Sequence, residues 1–149
     1  MVTKSQLLRY LALRAENENR LERLARMRSA AELPPMAEGD GSMHTNSSGD
    51  RMARAVENCM EYEEQIRPLI ASNTAEMQRI EQAVDALDDP LEREVIRLRY
   101  MDSSNCRQNL WHDVAVQLYG DDDRRYIDAA QAIHRRALEH LVRLSVNSV

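Results

Sequence analysis

The feature that most limits how this chain can fold is an apolar rhythm running from Met52 to Leu87. Met52, Val56, Cys59, Tyr62, Ile66, Ile70, Met77, Ile80, Val84 and Leu87 recur at steps of three and four, with Asn73 as the one polar member. A helix of that length would run roughly 55 Å at about 1.5 Å per residue, too far for one compact domain to cover. It needs a partner helix. Asp50 is placed to cap its start, and Pro68, which removes a backbone donor, should bend the rod or break it into two helices.

The nearest partner lies upstream. Thr3 and Gln6 fit a capping box, and Leu7, Tyr10, Leu13, Leu21, Leu24 and Met27 form one stripe as far as about Arg28. Asn17 interrupts that stripe, either fixing register within a helical pair or lying at its wet edge. Pairing the two patterns predicts an antiparallel hairpin over residues 1–87, with self-association through its uncovered part as the second use of the apolar surface. Residues 29–49 carry Leu33-Pro34-Pro35, Gly39, Gly41 and Gly49 without apolar periodicity. They read as a flexible linker, one that binds a partner or gives the chain room to reverse.

Gly and Pro number only four each and aromatic residues are 4%, whereas 43% of residues are hydrophobic, so an all-α protein is expected. No apolar run could span a bilayer and the N-terminus has no signal-peptide core, which predicts a cytoplasmic chain without a membrane partner. Cys59 and Cys106 stand apart without a paired motif, as reduced thiols do; Cys106 and His112 are too few for a zinc site.

Residues 88–149 read as a separate three-helix unit. Asp89 and Pro90 form a cap and first turn, and Leu91, Val95, Ile96, Leu98 and Tyr100 a helix of about three turns. Residues 102–109 make a polar connection to Trp111. Trp111, Val114, Ala115 and Leu118 then share a face, with Ala115 small enough for a second helix to cross closely. Gly120 supplies the backbone freedom that ends this helix. In the last helix Ile127, Ala130, His134, Ala137, Leu138, Leu141 and Leu144 gather on one side, against Arg124, Arg125, Asp128, Ala132, Arg135, Arg136 and Arg143 on the other. Two helices around a tight turn form the minimal unit that can push one helix into a DNA major groove.

The chain carries a net charge of −5, yet residues 1–90 hold 11 basic and 16 acidic residues and the remainder nine of each. DNA binding would therefore rest on the arginine patch and not on total charge. The alternative is an amphipathic surface helix whose arginine face is merely solvated.

Leu98-Arg99-Tyr100-Met101, Trp111 with Val114-Ala115, and Ile133-His134-Arg135-Arg136-Ala137-Leu138 with Leu141 resemble the RinA-like and ArpU-like phage transcriptional regulators. The C-terminal half of those proteins looks like the region 4 helix-turn-helix of bacterial sigma factors. The resemblance implies a phage or prophage protein that activates a promoter, its last helix in the major groove. Two spacings depart from the pattern: the link from Tyr100 to Trp111 is longer than the usual short turn, and Ala115 to Ile127 is about two residues longer than a compact helix-turn-helix.

On that reading Arg124, Arg125, Asp128, Gln131 and Ala132 occupy the leading turns that reach base edges, while Arg135 and Arg136 hold phosphates. Asp121, Asp122 and Asp123 suit the positive end of the helix dipole, and they lack the ligand order of a calcium loop. His134 falls on the apolar side as a packed histidine. Neither a phosphate-binding glycine loop nor a metalloprotease motif occurs, so no enzyme and no cofactor is expected. The expected partners are double-stranded DNA, a second copy of the chain, and RNA polymerase. A coiled-coil adaptor, or a DNA-packaging protein of the small-terminase kind, is the alternative.

Overall fold

The computed structural model describes residues 2–32 and 47–147, without the side chains of Ser47 and Ser48. Its elements are α1 (Lys4–Glu32), α2 (Ser47–Asp85), α3 (Pro90–Ile96) running into a π-helical turn (Arg97–Met101), α4 (Trp111–Tyr119) and α5 (Arg124–Asn147). Among the described residues there is no strand, and the protein is all-α with a long N-terminal helical pair.

Helix boundaries depart from expectation where no local signal marks them. α1 continues past Arg28 to Glu32, and α2 starts at Ser47, which puts Asp50 in its first turn and not at its cap. The ends of the expected 29–49 linker are thus helical; Leu33-Pro34-Pro35, Gly39 and Gly41 lie outside the described residues. α2 passes Pro68 as one element instead of breaking into two. Pro68 is exposed, so the carbonyl it leaves unpaired one turn earlier can be satisfied by water. At α3 the local chemistry is plain: Asp89 Oδ1 accepts from the Leu91 N–H at 2.9 Å and Pro90 opens the helix.

Packing groups the chain differently from a split at residue 87. One compact unit is Met1–Ala15 with Asn73–Val149, the other Glu16–Ser72. In the first, Leu7, Tyr10 and Leu11 of α1, Ile80 and Val84 at the end of α2 and Leu87 just beyond it share one core with Ile96, Tyr100, Met101, Ala137 and Leu141. The Tyr10 hydroxyl donates to Glu81 Oε1 at 2.6 Å, and Arg9 grips Glu76 through both carboxylate oxygens. That guanidinium holds the Glu76 carboxyl below its ordinary range. Arg14 donates to the carbonyls of Met101 at 2.9 Å and Ser103 at 2.7 Å, closing the C-terminal end of the π-helical turn. In the second unit Leu24 and Ala31 of α1 and Cys59 and Ile66 of α2 are buried. Arg28 pairs with Glu63 at 2.9 Å, and Arg23 lies over the Tyr62 ring.

The π-helical turn separates two apolar clusters. Ile96, Tyr100 and Met101 face the larger core, and Leu98 faces a smaller one made with Val114 and Ala130, which Trp111 and Leu118 border. Because Leu7 is fully buried in the core that positions α5, Leu7→Ala should cost about 2–5 kcal/mol in urea unfolding. Leu21→Ala, at a half-exposed position, should cost less than about 0.5 kcal/mol. Equal effects of the two would contradict this core.

Candidate nucleic-acid interface

The α4–α5 pair is built from local rules. α4 ends at Gly120, which adopts φ +76° and donates its N–H to the Val116 carbonyl at 2.8 Å. That left-handed conformation strains any residue with a Cβ. Asp121 Oδ1 accepts from the Asp123 N–H at 3.2 Å, and Asp123 Oδ1 accepts from the Arg125 N–H at 3.1 Å, capping α5. Asp121 and Asp123 therefore shape the turn, and all three aspartates precede the positive end of the α5 dipole.

α5 buries a narrow stripe of Ala130, Ile133, Ala137 and Leu141. Ile133 replaces the expected Ile127, which is only half-buried. Ala130, Ala137 and Ala115 are wholly buried, and their small side chains let α3 and α4 approach α5 closely. Near its far end α5 is held by His140 Nδ1, 2.8 Å from Oε2 of Glu92, a carboxylate only 2% exposed. Sequence reasoning passed over Glu92 because a glutamate one turn into a helix ordinarily faces water.

Between these helices lies a polar and aromatic knot. His134 Nε2 and the Tyr100 hydroxyl share a hydrogen bond of 2.8 Å, and the Trp111 ring meets the imidazole edge-on at 5.0 Å. Arg99 lies 4.4 Å over the Trp111 ring, donating to the Asn109 carbonyl and, at 3.2 Å, to Gln108 Oε1. The Asn109 amide in turn donates to the Leu98 carbonyl. The long link from Tyr100 to Trp111 is thus folded back onto the π-helical turn, with Cys106 at a positive φ of 54° within it. His134 is a packed histidine, as its place on the wheel suggested.

Arg124, Arg125, Asp128, Ala132, Arg135 and Arg136 are exposed, and Gln131 is half-buried. Arg124, its side chain 88% exposed, lies 3.6 Å from Asp128. Arg136 differs from the others: with Arg143 and His140 it lines a cleft that also holds Asp88, Asp89 and Glu92. The acidic wall beside Arg136 offsets its charge locally. Tyr119 and Tyr126, absent from the sequence-based set, stack across the turn at 5.1 Å, with Arg125 over the second ring. Their seven-residue spacing across a helix break belongs to no periodic pattern.

Among the described residues no group of three or more His, Cys, Asp or Glu is placed to hold a metal, and neither Cys59 nor Cys106 is in a disulfide. No described helix is long and apolar enough to cross a membrane. No family model, curated protein or solved structure matches this chain.

Burial, then the nearby charges of Arg99 and Lys4, push the His134 pKa down from 6.5 to about 4. The unfolded chain therefore binds a proton more readily than the folded one. Stability from this group is complete above about pH 6.5 and is lost as pH falls towards 4. Because the ring is partly solvated, the loss should not exceed about 2 kcal/mol. His134→Gln should flatten that part of the pH–stability profile, measured by urea unfolding between pH 4 and 7; an unchanged profile would count against the assignment.

Proposed function

We propose that this chain is a double-stranded-DNA-binding transcriptional regulator of the phage or prophage type, acting as an activator through α4, its turn and α5. One observation carries the reading: α5 buries an alanine-rich stripe while its leading turns present Arg124, Arg125, Asp128 and Ala132 to solvent, followed by Arg135. That is the disposition a recognition helix needs, with one side fixed to the protein and the other free to enter a groove. The resemblance of residues 98–138 to phage regulators supports the same function, with RNA polymerase as the further partner of an activator.

The proposed division of labour keeps Arg124, Arg125, Asp128, Gln131 and Ala132 at base edges and Arg135 and Arg136 on phosphates. Replacing both Arg135 and Arg136 by Ala should weaken binding to every duplex. It should also lower the slope of log affinity against log salt by about 0.9 for each phosphate no longer neutralised. Arg135 should contribute more of that change than Arg136, which shares its cleft with acids. An unaltered slope in fluorescence anisotropy would remove both residues from the phosphate set.

A specific observation favours the adaptor reading as the second. Met52, Val56 and Met60 of α2 are exposed beside a groove bordered by Ala31 and Cys59, a surface suited to another helix. We propose the same surface for self-association in the regulator. Binding of the full chain to random duplex and to DNA from its own genetic neighbourhood, at two salt concentrations, separates the readings. Salt-sensitive binding with a sequence preference is expected; absence of binding at low salt leaves the adaptor. Preference confined to packaging sites would favour the small-terminase variant.

A further inference from the structure

We propose that Tyr126, backed by Tyr119, fixes the orientation of the Arg125 guanidinium, making Arg125, of the two arginines placed at base edges, the one that reads guanine. This rests on the DNA-binding reading and deepens it. The Arg125 Cζ lies 4.7 Å from the centre of the Tyr126 ring, and its Nη2 donates to the Tyr126 hydroxyl at 3.1 Å. The same ring stacks on Tyr119 at 5.1 Å, the planes 24° apart. Tyr119 is the last residue of α4 and Tyr126 lies in the first turn of α5, so the stack ties the guanidinium to both helices of the pair.

Three physical arguments lead from this stack to base reading. A guanidinium held against a ring has surrendered much of its rotamer freedom before any ligand arrives, so less is lost on binding. Arg124 has no such support: its side chain is 88% exposed and lies 3.6 Å from the Asp128 carboxylate. Second, the planar fork matches a pair of neutral acceptors, O6 and N7 of guanine, that lie side by side in the major groove. Third, Asp121, Asp122 and Asp123 stand within four residues of Arg125 and oppose an approaching phosphate, whereas a guanine edge carries no net charge. Tyr126 is on this view a positioning residue, acting through Arg125.

The test uses the full chain and a duplex enriched from a random pool by the wild-type protein, made with guanine or with 7-deazaguanine, which lacks the N7 acceptor. Wild type should bind the substituted duplex roughly 10-fold more weakly. Arg125→Ala should bind the ordinary duplex at least as weakly as wild type binds the substituted one, be indifferent to the substitution, and keep the wild-type salt slope. Tyr126→Ala should reproduce part of both effects, and its combination with Arg125→Ala should add nothing further. Tyr126→Phe, which keeps the ring and removes only the hydroxyl, should lie between wild type and Tyr126→Ala; it serves as the folded control by circular dichroism.

Additive effects in the double variant, or a 7-deazaguanine penalty that survives Arg125→Ala, would overturn the proposal while leaving DNA binding intact. A salt slope reduced by Arg125→Ala would do the same by making Arg125 a phosphate contact. Failure of the wild-type chain to enrich any duplex would overturn the DNA-binding reading itself, and this inference with it.

Discussion

The structure depends on one fit: the stripe of Ala130, Ile133, Ala137 and Leu141 on α5 pressed between α3 with its π-helical turn and α4. Two of the four are alanines and gain little from burial by themselves. Their contribution is distance, because a helix surface without large side chains lets neighbouring helices approach until larger residues on either side interlock. Ile133 and Leu141 supply the apolar area, and His134 and His140 anchor the helix through Tyr100 and Glu92. With α5 so placed, the sides that carry arginine have nowhere to go but outward. The exposure of those residues is thus a consequence of core packing, not of any property of the arginines.

The same fit explains why the compact unit reaches beyond the three C-terminal helices. A segment of some 60 residues buries too little apolar surface to be secure alone. Here the deficit is met by Leu7, Tyr10 and Leu11 of α1, by Ile80 and Val84 from the end of α2 and by Leu87 just after it. The ends of the helical pair are therefore part of the core that orients α5. Arg14, reaching the carbonyls of Met101 and Ser103, extends that support to the point where the π-helical turn gives way to the loop. On the proposed reading, any event that displaced the first turns of α1 would disturb the DNA-facing helix without touching it.

What could be read in the sequence was what local chemistry determines. Asp89-Pro90 starts a helix and Gly120 ends one because capping and left-handed backbone are decided within a few residues. The wheel of α5 put Ala130, Ala137 and Leu141 inside and the arginines outside, since period alone decides which residues share a face. Ile127, expected inside, is only half-buried, and Ile133, which the wheel assigns to neither side, is buried, because a wheel says nothing of where along its length a helix is covered. Tertiary features left no trace: the burial of Glu92 and the tyrosine stack need partners 48 and seven residues away, beyond the reach of any periodic pattern. The start of α2 at Ser47 was hidden for the opposite reason, as Ser48 and Gly49 are poor helix formers that a propensity argument assigns to the linker.

The distribution of charge bears on how such a helix would select its site. A net charge of −5 and three aspartates ahead of α5 lower the attraction of the whole molecule for any polyanion. What is left is a handful of arginines, one set against a tyrosine ring, one beside an aspartate and one in an acidic cleft. Such a surface gains little from unspecific counterion release, so more of its affinity has to come from correctly placed hydrogen bonds. Weak general attraction raises the ratio of specific to non-specific binding, the quantity that matters against a genome of competing sites. On the proposed reading, the acids beside α5 are part of how it discriminates.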